Sequence, residues 1–405
     1  MSELNIHRLL WARSLRGLAD GYVSILLPVY LSLLGMSPFQ LGLIATATLF
    51  GSGIMTLWVG ALARRYPYRS LLLAAAALMA GTGLGFATVT DFWPLLLIAF
   101  VGTLNPSSGD VSVFLPLEHA FLAQSVEDRS RTATFARYSQ VGTLVAAVGS
   151  LLAGAPALLA SAIHLDMKLA HQLMFALYGI AGGLSAWIYR SLPAQQASAV
   201  TAPAAPFAQP RKSIYILAAL FSVDAFGGGF VVQSLLALWL FQKFQLSSLM
   251  AGLIFFWTGV LAALSYLVAV RIAGRYGLVN TMVFTHLPSS LLLIAIPFMP
   301  TLEWALALLF MRSALSQMDV PTRSSFVMAI VPAHERSAAA SVTSVPRSLA
   351  AAASPVLAGY LLGISTFGWP LVIGGGLKIV YDLLLYALFR HVPVPEEECV
   401  KRPFS

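Results

Sequence analysis

Arg312, Ser316, Asp319 and Arg323 lie four, three and four residues apart in an otherwise apolar segment. At helical spacing they form one polar stripe. Arg13, Arg16, Asp20 and Ser24 form a related stripe near the start of the chain. The stretch NPSSGDVSVFLPLEH, residues 105–119, puts Asp110, Glu118 and His119 into a third apolar segment, and Asp224 stands in a fourth, just before Gly227, Gly228 and Gly229. A carboxylate that is buried and then wetted takes up and releases protons, and an arginine holds an anion through paired N–H groups. Asp20, Asp110, Asp224 and Asp319 are therefore candidate proton or substrate sites, with Arg312, Asn105 and Gln233 as further polar contacts. Arg347 is a candidate anion contact; with Arg312 and Arg323 it would hold an organic anion.

Plainer readings stand beside these. Asp319 with Arg323, Arg16 with Asp20, and Lys378 with Asp382 all have the spacing of an intrahelical ion pair, and for the last pair the structural reading is preferred. His119 and His286 read as packing histidines, and Arg137 as a helix-end anchor. The sequence shows no metal-ligand cluster, nucleotide loop or nucleophile–base pair at a recognisable spacing, so neither an enzyme nor a cofactor is expected.

The elements that position these residues follow from composition. Of 405 residues, 58% are hydrophobic and only 10% charged, with a mean hydropathy of +0.81. A soluble chain holds about 25% charged residues, so lipid is the expected solvent for most of this one. The net charge of +8 does not point to nucleic acid, because the basic residues flank apolar segments and form no basic–aromatic surface. The single cysteine, Cys399, gives no disulfide within the chain.

Apolar segments fall near 10–34, 38–62, 70–89, 94–124, 134–160, 170–190, 213–241, 246–270, 280–299, 302–331, 337–363 and 367–390. These predict an all-α membrane protein with twelve transmembrane helices. Arginines crowd alternate connections, including Arg64, Arg65, Arg69, Arg129, Arg131, Arg271, Arg275 and Arg336, whereas the opposite connections hold Lys168 and Lys243. By the positive-inside rule both termini are cytoplasmic. Residues 191–212, rich in Ala, Pro and Gln, read as a cytoplasmic linker between six-helix halves at 1–190 and 213–391, and 392–405 as a cytoplasmic tail.

The halves repeat. Residues 126–154 align without a gap on 331–359, and the register extends back to match Pro116 with Pro321. It makes Glu118 and Arg323 pseudo-symmetry mates, an acid and a base each two residues after a proline. They are expected to meet as a gating pair between the halves when the protein is open outward. Internal symmetry of this kind marks transporters, with a substrate site near mid-membrane.

Over nearly its whole length the chain resembles a transporter of the major facilitator superfamily (MFS). The loop after the second span reads Gly60-Ala-Leu-Ala-Arg64-Arg65-Tyr-Pro67-Tyr-Arg69 against the family's Gly-x-x-x-Asp-Arg-x-Gly-Arg-Lys/Arg. Gly60, Arg65 and Arg69 match; Arg64 replaces the acid and Pro67 the second glycine. In the fifth span Gly149-Ser150-Leu-Leu-Ala153-Gly154 stands where the drug–proton antiporter branch has Gly-Pro-x-x-Gly-Gly, so the pattern is nearest to that branch with degenerate motifs. The resemblance implies a cavity lined by spans 1, 4, 7 and 10, a loop at Gly60, Arg64, Arg65 and Arg69 that works in the conformational change, and a monomer in the inner cell membrane. It implies proton-coupled export (efflux by antiport) of a small molecule through alternating access. Uptake or facilitated passage of a small organic anion held by cavity arginines is the alternative.

Overall fold

The computed structural model describes residues 3–63, 65–107, 113–125, 128–194, 212–331 and 336–390. In chain order the α-helices are α1 (Glu3–Leu33), α2 (Pro38–Leu62), α3 (Tyr68–Thr88), α4 (Phe92–Val101), α5 (Phe114–Ser125), α6 (Asp128–Leu151), α7 (Ala155–Ile163), α8 (Met167–Arg190), α9 (Lys212–Gly229), α10 (Gln233–Phe244), α11 (Ser248–Tyr276), α12 (Leu278–Ala295), α13 (Leu302–Leu315), α14 (Asp319–Ala329), α15 (Arg336–Ile364) and α16 (Trp369–Phe389). No strand occurs among the described residues. The all-helical architecture expected from the apolar segments is the one found.

Nine helical stretches among the described residues are long and apolar enough to cross a membrane. The expected spans outside that set are the first, fourth and tenth. Arg13, Arg16 and Asp20 make α1 the polar exception, and the other two are broken. The exposed surface is strongly apolar, and Trp58, Trp93, Trp187 and Trp304 stand exposed near helix ends, where amphipathic rings meet the membrane interface.

Three spans expected to be continuous are interrupted. The fourth divides into α4 and α5, the seventh into α9 and α10, and the tenth into α13 and α14. The causes are local. Pro321 has no N–H to give to the carbonyl of Gln317; the break falls at residues 316–318 and the proline sits in the first turn of α14. The seventh span breaks after Gly227, Gly228 and Gly229, and the fourth around Pro106. Consequently the stripe Arg312–Ser316–Asp319–Arg323 is divided between two helices: Arg312 belongs to α13, Ser316 caps it, and Asp319 and Arg323 belong to α14. Pro28 behaves differently, since α1 runs through it.

The packing forms two compact units. One holds Met1–Val200, Val232–Gly259 and Pro355–Thr366; the other holds Thr201–Val231, Val260–Ser354 and Phe367–Ser405. The first unit thus includes segments from the second half of the sequence. Small residues bring them close: Gly42 rests on the backbone of Pro355 and Gly359, and Gly252 on that of Ser150. The Ser234 N–H at the start of α10 donates to the Pro106 carbonyl at 3.0 Å, so one interrupted helix satisfies the backbone of another. Within this unit Gly17 and Gly21 of α1 lie against Gly142 and Ala146 of α6; a side chain at Gly21 would meet the Ala146 backbone. In the second unit Gly227 of α9 meets Gly374 of α16, and Gly375 meets the Ser290 backbone of α12. These close approaches hold α9, α12 and α16 near enough for their charged side chains to touch.

Candidate functional site

Each unit holds a buried cluster of charge. In the first, Arg16 of α1 faces Glu118 of α5, with side chains 3% and 0% exposed. Arg16 Nη1 donates to Glu118 Oε1 at 3.1 Å, and Nη2 to Oε2. This is the two-pronged geometry that a planar guanidinium offers a carboxylate. Tyr138 of α6 and Tyr189 of α8 both donate to Glu118, the latter at 2.8 Å, and both also accept from Arg16. The guanidinium lies 4.2 Å from the ring centre of Phe114. Four helices therefore converge on one ion pair. Glu118 has no exposure to water, and its two hydroxyl donors and one forked cation replace the hydration it has lost.

The second unit repeats the theme with the charges exchanged. Asp224 of α9, on the first span of its half, takes Arg323 of α14, on the fourth, at 2.9 Å. In the first unit the base is on the first span and the acid on the fourth. Around Asp224 the network is wider. Lys378 of α16 donates to Asp224 Oδ1 at 2.7 Å, and His286 Nε2 of α12 lies 3.6 Å from the same oxygen. His286 Nδ1 lies 2.9 and 3.0 Å from the two oxygens of Asp382. Arg323 also pairs with Asp319 one turn before it, and lies 5.3 Å over the Phe221 ring.

Beside this network is a cavity of about 190 Å³, lined by Lys378, His286, Ser289, Ser290, Arg312 and Ser316 among others. Its wall carries basic and hydroxyl groups.

Comparison with known proteins follows the same lines. A profile of the Major Facilitator Superfamily matches residues 9–241 and 217–403, which together span nearly the whole chain. The chain belongs to the Major Facilitator Superfamily. An uncharacterized membrane protein of Saccharomyces cerevisiae is 25% identical over 419 residues, covering 94% of this chain and 93% of its own. Among solved structures, the nucleoside transporter NupG aligns with a TM-score of 0.71 at 14% identity, over 96% of this chain and 100% of its own. The E. coli xylose transporter XylE aligns with a TM-score of 0.71 at 15% identity, over 98% and 99%. The human organic anion transporter MFSD10 aligns with a TM-score of 0.66 at 19% identity, over 95% and 100%. At these identities the structures speak for the fold. Family and fold together make this chain an integral, multi-pass membrane transporter of the MFS type.

The candidate residues of this MFS chain are distributed as follows. Asp224, Asp319 and Arg323 share one cluster, with Arg312 on the adjoining cavity. Asp20 is buried in α1, within electrostatic reach of Tyr22 and Tyr178. Asn105 is fully buried, its side-chain oxygen accepting from the Ser107 N–H at 3.0 Å. Gln233 opens α10 and belongs to the first unit. Arg347 is exposed on α15, within electrostatic reach of Arg323, Asp224 and Asp319. Asp110 lies outside the described residues, as does Arg64. Of the loop after α2, Gly60 and Arg65 are exposed, with open space around Gly60; Arg69 donates to the Leu192 carbonyl at 3.5 Å, tying the loop to the end of α8.

Glu118 and Arg323, expected to meet each other, are each engaged inside their own unit, with Arg16 and with Asp224 and Asp319. At the other two intrahelical spacings the charged groups reach other helices. Arg16 gives its hydrogen bonds to Glu118 and two tyrosines, Lys378 turns to Asp224, and Asp382 to His286. Of the three spacings, Asp319–Arg323 alone puts the acid first, the better order along a helix, and that pair forms. Tyr138 and Tyr189 carried no signal as site residues, because aromatic residues are common in apolar helices. His286 and Asp382 became site residues through helix packing that no local spacing encodes.

Proposed function

We propose that this chain is a secondary transporter that moves a small molecule by alternating access, coupled to protons. The observation that carries this reading is the charge balance around Asp224. Three acids (Asp224, Asp319 and Asp382) face two permanent bases (Arg323 and Lys378) and one histidine. With the imidazole neutral, and with the exposed Arg347 of α15 outside the count because it makes no contact with these acids, the directly paired groups hold one negative charge in excess, and a single added proton cancels it. Histidine changes charge between about pH 5 and 8, and a charge inside a membrane is costly unless balanced. A cluster one proton short of neutrality is thus suited to load a proton on one side and release it on the other.

Export is the direction implied by the Gly149–Gly154 likeness to the drug–proton antiporter branch. Uptake or facilitated passage of a small organic anion is the second reading, favoured by Arg312 on the cavity wall. In both, the partners are a small molecule, protons and the lipid of the inner cell membrane, and the working form is a monomer. Exchange of partners between the two clusters, bringing Glu118 to Arg323, belongs to the outward-open state.

The test uses purified protein in liposomes holding a pH-sensitive dye, challenged with chemically diverse compounds. Compounds that cross are expected to move protons with them. Compounds crossing at rates indifferent to the pH gradient would overturn the coupling. Both termini and the segment 191–212 face the cytoplasm in this reading, on the strength of the arginine-rich connections. A cysteine placed at Ala204 is expected to be labelled from the cytoplasmic side alone; labelling in intact cells by an impermeant reagent would reverse the orientation.

A further inference from the structure

Among the cations packed between the helices, Arg16, Arg323 and Lys378 each hold a carboxylate. Arg312 holds none among the described residues. Its Nε is buried without a hydrogen-bond partner among the described residues. It lies on α13 and faces the cavity in the second unit. No carboxylate lines that cavity among the described residues; Lys378, His286 and the hydroxyls of Ser289, Ser290 and Ser316 do. An arginine presents five N–H donors and keeps its charge at any physiological pH. Within a membrane protein such a group needs an anion. The volume of about 190 Å³ is room for about six waters at 30 Å³ each, enough for a compact oxyanion with a short polar body.

Lys378 is the second cation on the cavity wall. It lines the cavity and also holds Asp224, which has Arg323 as a second partner on its other oxygen. When Lys378 turns towards an anion in the cavity, Asp224 therefore keeps a cation. One charge in the cavity is fixed and the other is exchangeable.

We propose that this cavity is an oxyanion subsite, in which Arg312 holds a carboxylate or phosphate group through its fork and Lys378 swings from Asp224 to join it. The assignment rests on the transporter reading for its purpose, but not for its geometry. The cavity is built by helices of the second unit alone, so the subsite is available to the anionic end of a transported molecule or to a free oxyanion.

The test is thermal unfolding of the purified full-length protein at constant ionic strength, with gluconate, inorganic phosphate, or sorbitol as the uncharged control. At least one of the two oxyanions is expected to raise the midpoint saturably, and sorbitol is not. A response to gluconate alone identifies an organic carboxylate; a response to phosphate as well identifies a free oxyanion. Arg312→Gln removes an uncompensated charge, so it is expected to raise the midpoint of the unliganded protein while weakening the oxyanion response at least tenfold, about 1.4 kcal/mol. Arg312→Lys keeps the charge without the fork and is expected to bind with intermediate strength. If neither oxyanion stabilises the wild type, or if Arg312→Gln leaves the response intact, the subsite is refuted. Oxyanion binding without any transport would leave the subsite standing and sink the transporter reading; transport without oxyanion binding would do the reverse.

Discussion

Glu118→Gln is expected to cost about 3–5 kcal/mol of stability, the range for removing one partner of a buried ion pair. The reason is geometric. Arg16 is 3% exposed and directs both prongs of its guanidinium at Glu118. The amide would leave that cation buried with no counter-charge, and would ask Tyr138 and Tyr189 to donate to a neutral acceptor. Thermal midpoints in detergent of Glu118→Gln, Arg16→Gln and the double variant form a cycle. A coupling of about 2–3 kcal/mol is expected, the upper part of the range for residues in contact. The double variant should recover much of the loss, because no unpaired charge remains. The same cycle with Arg323→Gln should show almost no coupling while Glu118 is paired with Arg16, and Arg323 with Asp224 and Asp319. If Glu118 couples to Arg323 and not to Arg16, the pair between the halves is the resting arrangement and the pair inside the first unit is not.

Much of this architecture is legible in the sequence, for a physical reason. Membrane spans announce themselves by length and apolarity, and an ion inside one is so costly that its presence alone marks a site. Asp224, Asp319, Glu118 and Arg323 were visible on those grounds. The register of the repeat was visible too, since Glu118 and Arg323 occupy corresponding places on α5 and α14. What the register does not encode is the partner. A residue in a span has its own helix and several neighbours to choose from, and intrahelical spacing describes only the first. Acid-before-base order decided one case, Asp319 with Arg323. In the others packing decided: the glycine contacts between α9 and α16, and between α16 and α12, bring Lys378 to Asp224 and Asp382 to His286.

The helix breaks were only half visible. Pro106, Pro321 and the three glycines at 227–229 mark them, yet Pro28 looks the same in the sequence and α1 runs on through it. Pro321 also shows why a polar stripe read across a proline is unsafe. The break before it puts Arg312 on α13 and Asp319 on α14, and Arg312 lines the cavity.

Asp224→Asn is expected to have the largest effect on transport. Asp224 is 4% exposed and serves Lys378 and Arg323 together, with His286 nearby. Asp319 serves Arg323. Removing Asp224 leaves Lys378 without its carboxylate while Arg323 falls back on Asp319; removing Asp319 leaves both cations paired with Asp224. Stability should therefore fall by about 3–5 kcal/mol for Asp224→Asn, and by clearly less for Asp319→Asn. Proton movement should be nearly abolished by the first change, because the cluster is then neutral before any proton arrives. The combination Asp224→Asn with Lys378→Met separates fold from function. It removes the orphaned cation, so the thermal midpoint should recover most of the loss. Net charge in the cluster also returns to its original value, but the acid that joins His286 to Lys378 is gone, so coupling should stay lost. Proteoliposome assays with a pH-sensitive dye, run beside thermal unfolding of the same preparations, read both quantities. Recovery of proton coupling in the double variant would show that Asp224 acts only as a counter-ion. A larger stability loss for Asp319→Asn than for Asp224→Asn would show that Arg323 depends mainly on the acid of its own helix.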